Sequence, residues 1–343
     1  MTANVPRMMR VPQFLGNGII GFREVAVPTP GVGELLIAVK ANALCGSERG
    51  QFNEGSAFTP GHESAGIVAA AGAGTNLAVG TPGVVYLMDY CGQCRSCRQG
   101  YTNQCLSKKG DYGFNRDGGY APYMLVSESV FFPIDPDIPL TEATMLLDIM
   151  GTGGHAIRRA QLVREDIESI VVAGAGPIGL AVLSMAKLLL GSDLPVFVTD
   201  YTHYRLELAR QMGAVPVHLG EATLERVLAD AGLSGVDAAF DTSGKTAARQ
   251  TALHMLNARG VLVCIGHGQE LHLQVSSDLI AKERAILGSE YFSFGELTDN
   301  ARLLAENLFY LKQIITHRFG PESLQSAFEL FFQGETGKVV IEQ

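Results

Sequence analysis

The spacing of apolar residues changes character along this chain. From the start to about residue 150, short apolar runs alternate with Gly/Pro turns. Leu35-Leu36-Ile37-Ala38-Val39 and Ala65-Gly66-Ile67-Val68 are typical, and runs of this kind predict β-strands. From about residue 168, strand and helix patterns alternate instead. Ser169-Ile170-Val171-Val172-Ala173 predicts a buried strand, then a glycine turn and a long apolar helix to Leu190. Further strands are predicted over Pro195 to Asp200, Ala214 to His218, Val236 to Asp241, Gly260 to Ile265 and Arg284 to Gly288. Helices over Tyr204 to Met212, Ala222 to Ala231 and Ala247 to Asn257 lie between them. Such alternation predicts a parallel, doubly wound α/β sheet. The stretch from about 288 to 343 is too short to stand alone and is expected to complete the first, β-rich part.

Bulk properties narrow the picture. At 343 residues, two domains are the default. Hydrophobic residues make up 47% and charged residues 18%, a globular composition. A net charge of -9 argues against nucleic acid or an anionic membrane as the main partner. Residues 1–10 carry two arginines and no apolar stretch of the secretory kind. Ser64 to Met88 is uncharged, but five glycines and a proline break it up. A membrane helix needs a denser apolar run of about 20 residues. The expected setting is the reducing cytoplasm, with no membrane partner.

Gly174-Ala175-Gly176-Pro177-Ile178-Gly179 is G-x-G-x-x-G, directly after a predicted strand and opening a predicted helix. Gly174 permits the tight turn, Gly176 lets a pyrophosphate approach the backbone, and Gly179 lets helix and strand pack closely. The helix N-terminus then faces the phosphates. Asp200 ends the next strand, 21 residues past Gly179. A carboxylate there accepts hydrogen bonds from the ribose hydroxyls and repels a 2′-phosphate, which favours NAD over NADP. The plainer reading of Asp200 is a helix cap. Arg205 is placed either beside the adenosine or on the solvated surface.

Four of the six cysteines, Cys91, Cys94, Cys97 and Cys105, fall within fifteen residues as C-x2-C-x2-C-x7-C. Four thiolates this close can fold round one tetrahedral zinc, a closed site with no position for substrate. Two disulfides or unligated thiols are the alternatives, and nothing points to an oxidising compartment. Cys45 stands apart, in Leu44-Cys45-Gly46-Ser47-Glu48. Gly61-His62-Glu63 follows the turn Thr59-Pro60, and Asp148 ends an apolar stretch before a glycine-rich turn. Cysteine, histidine and carboxylate are the ligand types of a catalytic zinc that keeps one position open. Taken singly, His62 reads as a core or surface histidine and Asp148 as a cap.

Together these residues resemble the zinc-dependent medium-chain alcohol and polyol dehydrogenases, over nearly the whole length and in order. The matching motifs are Cys45-Gly46-Ser47, Gly61-His62-Glu63, the four-cysteine lobe and Gly118-Gly119-Tyr120-Ala121. Asp148 with Gly151-Thr152-Gly153, the Gly174 to Gly179 turn and Asp200 follow. Ile315-Thr316-His317-Arg318-Phe319 and Gly337-Lys338-Val339-Val340 complete the set. The flavour is that of threonine, sorbitol and bacterial secondary-alcohol dehydrogenases. The resemblance implies a GroES-like catalytic domain over 1–150 and 288–343, with a zinc lobe near 91–105. A Rossmann NAD-binding domain would span 151–287. It implies a catalytic zinc on Cys45, His62 and Asp148, with Glu63 beside it and able to ligate in place of water. It also implies a structural zinc on Cys91, Cys94, Cys97 and Cys105, so two Zn2+ per chain. Glu48 would hydrogen-bond His62 and fix its tautomer. Thr152 and Ile178 would pack on the nicotinamide, Ile265 would belong to the cofactor pocket, and Lys338 would lie near the pyrophosphate.

The implied reaction is hydride transfer between a secondary alcohol, polyol or sugar-type substrate and NAD. The alkoxide would be stabilised on zinc, with Ser47 passing the proton outward. Among candidate specificity residues, polar Glu48 and Arg49 suit a polyol, sugar or cyclitol, and aromatic Phe52, Tyr112, Phe114 and Tyr291 to Phe294 a simpler secondary alcohol; the polyhydroxy class is preferred. Two departures stand out. Gly50 occupies the position where many relatives carry a relay histidine, so the proton must leave by water or another group. Pro122 replaces a glutamate common in the family. His155 is read as structural, His267 as an edge of the nicotinamide pocket, His317 as packing, and His203, His218, His254 and His272 as surface residues. A homodimer or homotetramer is expected. A zinc-free quinone or enone reductase of the same superfamily is the competing enzyme, and a zinc-module binding protein the competing non-enzyme. The first would lack the cysteine lobe; the second is opposed by the net charge.

Overall fold

A computed structural model of the protein describes residues 5–343; the expectation about residues 1–10 therefore falls partly outside it. The chain divides into two compact units. The first takes residues up to Leu147 with Ser293–Gln333 and Lys338–Gln343; the second takes Asp148–Phe292 with Gly334–Gly337.

The first unit is built on a seven-stranded mixed sheet. Its path runs Ile315–Phe319, Lys338–Glu342, Glu34–Ala43, Glu63–Ala71, Pro82–Val85 and Phe131–Pro133, with Tyr123–Ser127 also paired to Glu34–Ala43. The C-terminal strand thus enters this sheet, second along the path. It lies antiparallel to Glu34–Ala43, with Val340 opposite Ala43. On the other side of Glu34–Ala43, Ala43 faces Glu63. One end of this three-strand ladder therefore gathers Cys45, the Gly61–Glu63 turn and Lys338. An aromatic cluster of Phe14, Phe52, Tyr120 and Phe328 backs that end, with ring centroids 5.2 to 6.4 Å apart. Each well-oriented ring pair adds about 0.5–1.5 kcal/mol beyond its buried area.

The second unit is a six-stranded parallel sheet in the order Val215–His218, Val196–Asp200, Ile170–Ala173, Val236–Asp241, Leu256–Cys264 and Ala285–Gly288. Counted in chain order this is 3-2-1-4-5-6, the doubly wound arrangement, whose ligand crevice lies beyond the strand C-termini where the order reverses. The first strand is buried at all four positions, as near-continuous β-branched sequence demands of a strand covered on both faces. Helices Pro177–Leu190, His203–Gln211, Leu224–Asp230 and Thr246–His254 follow their strands. The α/β class, with a β-rich and a doubly wound part, is as expected. The largest boundary differences lie together: the helix expected to run to Asn257 ends at His254, and the fifth strand begins at Leu256, not Gly260. Arg259 adopts a positive φ of 59°, and the pairing register shifts between Val236 and Ala238. A bulge of this kind breaks the period on which the prediction rested. Among the described residues no helix is long and apolar enough to cross a membrane.

Candidate active site and cofactor turn

Cys45 caps the short turn Gly46–Glu48 at the end of its strand. The turn directs the Glu48 carboxylate back, so that Glu48 Oε2 accepts the Cys45 N–H at 3.2 Å. The same oxygen accepts the Tyr120 hydroxyl at 2.8 Å, and Oε1 lies 3.1 Å from His62 Nδ1. Glu48 is fully buried, so an ionised carboxylate here depends on these three donors. Nδ1 therefore carries the ring proton, and Nε2 is left as the nitrogen with a lone pair. Burial first, and then the Glu48 charge, push the Tyr120 hydroxyl well above the usual phenol range. Tyr120 stays a donor.

Gly61 makes the approach possible. Its φ is +105°, and a Cβ there would sit 2.6 Å from the Tyr120 amide nitrogen. His62 also packs on Phe114, with centroids 5.0 Å apart. The next residue, Glu63, is fully buried and ion-paired with Lys338, itself fully buried. Cys45, His62 and Glu63 place ligand atoms within 4.8 Å of one another. A thiol, an imidazole held in one tautomer and a carboxylate suit zinc. Lys338, expected near the pyrophosphate, places its ammonium inside the first unit on Glu63. Ser47 is exposed on the turn. Gly50 has open space where a side chain would begin, and the guanidinium of Arg49 lies 4.0 Å over the Phe332 ring.

The four-cysteine lobe is compact. Cys91 and Cys97 Sγ are 4.0 Å apart, as are Cys94 and Cys105 Sγ. That is twice a disulfide's length, about 2.0 Å. It is close to the roughly 3.8 Å between sulfurs of a tetrahedral site with 2.3 Å zinc–sulfur bonds. Backbone N–H groups of Cys97 and Leu106 point at Cys94 Sγ, at 3.5 and 3.4 Å. They lower the Cys94 thiol to about 6. Burial raises Cys97 to about 12. The lobe is tied to the C-terminal part of its own unit: Thr102 Oγ1 accepts the Phe294 N–H at 2.7 Å, and Ser293 Oγ donates to Asn103 Oδ1 at 3.0 Å.

In the second unit, the glycine turn has the geometry its spacing demands. Gly174 has φ +104°, and a Cβ on Gly179 would come within 1.9 Å of the Gly174 carbonyl oxygen. Gly176 is open except for Arg205, whose guanidinium lies 3.7 Å from the Cβ position. Pro177 opens the helix, and Ile178 is half-buried beside it. Asp200 Oδ2 accepts the Ala175 N–H at 2.8 Å, while Oδ1 takes the N–H groups of Tyr201 and Thr202 at 2.7 and 2.9 Å. Asp200 therefore ties its own strand end to the glycine turn. Asp148 and Thr152 are buried at either end of a π-helical turn, Asp148–Thr152, that leads into helix Gly153–Gln161. Ile265 is half-buried and follows the strand Leu256–Cys264.

Two elements escaped the sequence reading. Tyr120 belonged to a noted motif without a role. Asp241 and Arg249 form a buried ion pair at 2.6 Å. Asp241 also accepts the N–H groups of Ser243 and Gly244, and Arg249 reaches the carbonyls of Gly266 and Gln269. One pair thus pins both loops that leave the fourth and fifth strands. The only signal was an aspartate at a strand end, eight residues before an arginine.

Comparison with known proteins agrees with this architecture. Residues 31–136 match the alcohol dehydrogenase GroES-like domain, and residues 177–306 match the zinc-binding dehydrogenase family. The chain is 32% identical to a zinc-type alcohol dehydrogenase-like protein of Escherichia coli, covering 95% of this chain and 96% of that one. It is 32% identical to the L-threonine 3-dehydrogenase of Vibrio parahaemolyticus, covering 94% and 95%. A cobalt- and zinc-bound thermostable alcohol dehydrogenase from Pyrobaculum aerophilum superposes with a TM-score of 0.83 at 26% identity, over 98% of this chain and 100% of that one.

Proposed function

The chain belongs to the zinc-type medium-chain alcohol dehydrogenases, and from that premise we propose that it is a zinc-dependent, NAD-linked dehydrogenase of secondary alcohols of the polyol or sugar type. The observation that carries the reading is the Cys45–His62–Glu63 donor set, with His62 locked by Glu48 and Glu48 by Tyr120. We assign the catalytic zinc to Cys45, His62 and Asp148, with Glu63 adjacent, and a structural zinc to Cys91, Cys94, Cys97 and Cys105. When bound, zinc supplies a Lewis acid toward the substrate oxygen and NAD supplies the hydride acceptor.

The chain's own residues do the rest. Glu48 keeps the His62 lone pair on Nε2. Lys338 neutralises Glu63, so that this carboxylate can remain ionised without water around it. The exposed Ser47 hydroxyl takes the substrate proton and hands it to solvent, because Gly50 leaves no side chain to relay it. Thr152, Ile178 and Ile265 shape the nicotinamide pocket, and the glycine turn receives the pyrophosphate. Asp200 retains lone pairs for ribose hydroxyls and opposes a 2′-phosphate, which supports NAD over NADP. The open edge strand Ala285–Gly288 is a place for a second copy to pair, as a homodimer or homotetramer would. The thiols of the lobe suit the cytoplasm.

A panel of alcohols and polyols, assayed by NADH absorbance with NAD and NADP in parallel, tests the reaction. Metal analysis should find two zincs per chain, and turnover with both removed would sink the mechanism. Cys45→Ser should leave a folded, NAD-binding, inactive protein, whereas Cys94→Ser should reduce stability first.

A further inference from the structure

We propose that the outer edge of the parallel sheet carries a divalent-metal site formed by His203, His218 and Glu221, sharing no residue with the donor sets above. His218 ends the edge strand Val215–His218, and its Nε2 lies 2.8 Å from the Tyr201 carbonyl oxygen. A carbonyl only accepts, so in the neutral ring Nε2 holds the proton and Nδ1 the lone pair. Nδ1 is shielded from water and has no hydrogen-bond donor. It faces Glu221 Oε1 at 3.8 Å, a second acceptor. His203 Nε2 lies 3.2 Å from the same oxygen. The three ligand atoms all fall within 4.8 Å of one another. A tetrahedral zinc with bonds of about 2.0–2.2 Å holds its ligands roughly 3.3–3.6 Å apart, close to the 3.8 and 3.2 Å that already separate His218 Nδ1 and His203 Nε2 from the Glu221 oxygen. A cation would satisfy the stranded lone pair and the carboxylate together.

The frame is already in place. The Tyr201 carbonyl orients His218 as the outer partner of a metal-bound imidazole does. The N–H groups of Glu221 and Ala222 donate to the His218 carbonyl at 2.9 and 3.0 Å, closing a turn that brings Glu221 back over the ring. Gly220 allows that closure: a Cβ there would sit 2.9 Å from His218 Cε1 and 3.3 Å from Nδ1. His203 begins the helix His203–Gln211 and stacks on His218, with centroids 4.0 Å apart and planes 8° from parallel. Two parallel rings do not aim both lone pairs at one ion. His203, whose side chain is 72% exposed, must therefore turn on binding while His218 stays fixed. A concavity of about 440 Å³ around these residues leaves space for water ligands.

Equilibrium dialysis of the intact protein against low-micromolar Zn2+ near neutral pH, with metal per chain counted by mass spectrometry, tests the site. Wild type should hold one equivalent more than His218→Ala at the same free zinc. His203→Ala and Glu221→Gln, at exposed positions that should not disturb folding, should weaken that equivalent by more than about tenfold. Imidazole NMR should show the His218 resonances moving with zinc while Nε2 remains protonated. Because the reading is a difference between wild type and variants, metal held elsewhere cancels, and the result does not depend on the proposed reaction. Equal metal content in wild type and all three variants would overturn the site. So would an extra equivalent that survives His218→Ala. Either outcome would leave a surface ion pair between His203 and Glu221.

Discussion

Replacing Lys338 with methionine removes one charge of a pair in which both side chains are fully buried. The hydrophobic stem is nearly conserved, so the lost interaction is electrostatic. Glu63 is then left as a buried carboxylate without its cation. Breaking a buried pair from one side costs about 3–5 kcal/mol, because the remaining charge has already lost its water. In a unit of about 200 residues, 1 kcal/mol shifts Tm by roughly 2–4 °C, so a fall of roughly 6–20 °C is expected. The double variant Glu63→Gln/Lys338→Met should recover much of the loss, since no charge remains unpaired. The chain has no tryptophan, so calorimetry or circular dichroism is the suitable readout. Two preparations are informative, one treated with chelator and one loaded with zinc. A dication beside Glu63 would replace part of the missing charge and shrink the penalty in the loaded form. If Lys338→Met costs under about 1 kcal/mol without metal, and the double variant is no more stable than the single one, the pair is not the buried charge pair described here and the reasoning fails.

Other outcomes follow from the same geometry. Tyr120→Phe removes the 2.8 Å bond to Glu48; it should cost about 1.5–3 kcal/mol in stability. It should also lower zinc affinity roughly 10–100-fold, read by competition with a chelator. If Asp200 opposes a 2′-phosphate as proposed, Asp200→Asn should raise the NADP-to-NAD ratio of kcat/KM, with KM for NAD rising as the carboxylate's bonds to the glycine turn weaken. Burial raises the Tyr310 hydroxyl to about 12. Its folded pKa exceeds the unfolded value near 10, so its contribution is fully present below about pH 10 and is lost as pH rises to about 12. Tyr310→Phe should flatten that part of the Tm-against-pH curve relative to wild type; an unchanged slope would show that burial does not hold the phenol neutral.

What was legible in the sequence was local. The glycine spacing from 174 to 179 prescribes a turn whose close approaches leave no room for a Cβ at Gly179. The apolar runs located the strands of the doubly wound sheet, failing only where the Arg259 bulge broke the period. The cysteine run declared itself because its members lie within fifteen residues. Pairings between distant residues were not legible. Lys338 and Glu63 are 275 residues apart, and only the antiparallel entry of the C-terminal strand beside Glu34–Ala43 brings them together. Tyr120 lies 72 residues from Glu48, and its role depends on a turn at Gly61 that admits no side chain. A charged residue in a sequence gives no sign of whether it will be solvated or buried, and solvation is the ordinary case. His218, expected at the surface, has a partly exposed ring whose Nδ1 nevertheless lies out of reach of water.

The buried charges around His62 point to the same chemistry as the donor types, by a separate route. Glu48 and Glu63 are both fully buried, and Cys45 is nearly so. Glu48 is surrounded by neutral donors: the Cys45 N–H, the Tyr120 hydroxyl and the His62 ring N–H. These solvate its charge without cancelling it. Glu63 is matched by Lys338. Were Cys45 a thiolate, a third anion would join Glu48 and Glu63 in a region from which water is largely excluded. Isolated buried charges are too costly to persist. Either protons return to these groups, or a dication resides among them. On the zinc assignment proposed above, a dication offsets them. Tyr120 and His62 both present protons to Glu48, and Lys338 pairs with Glu63. Removing Lys338 should then have two separable effects: instability without metal, and an added negative charge that strengthens the electrostatic hold on zinc.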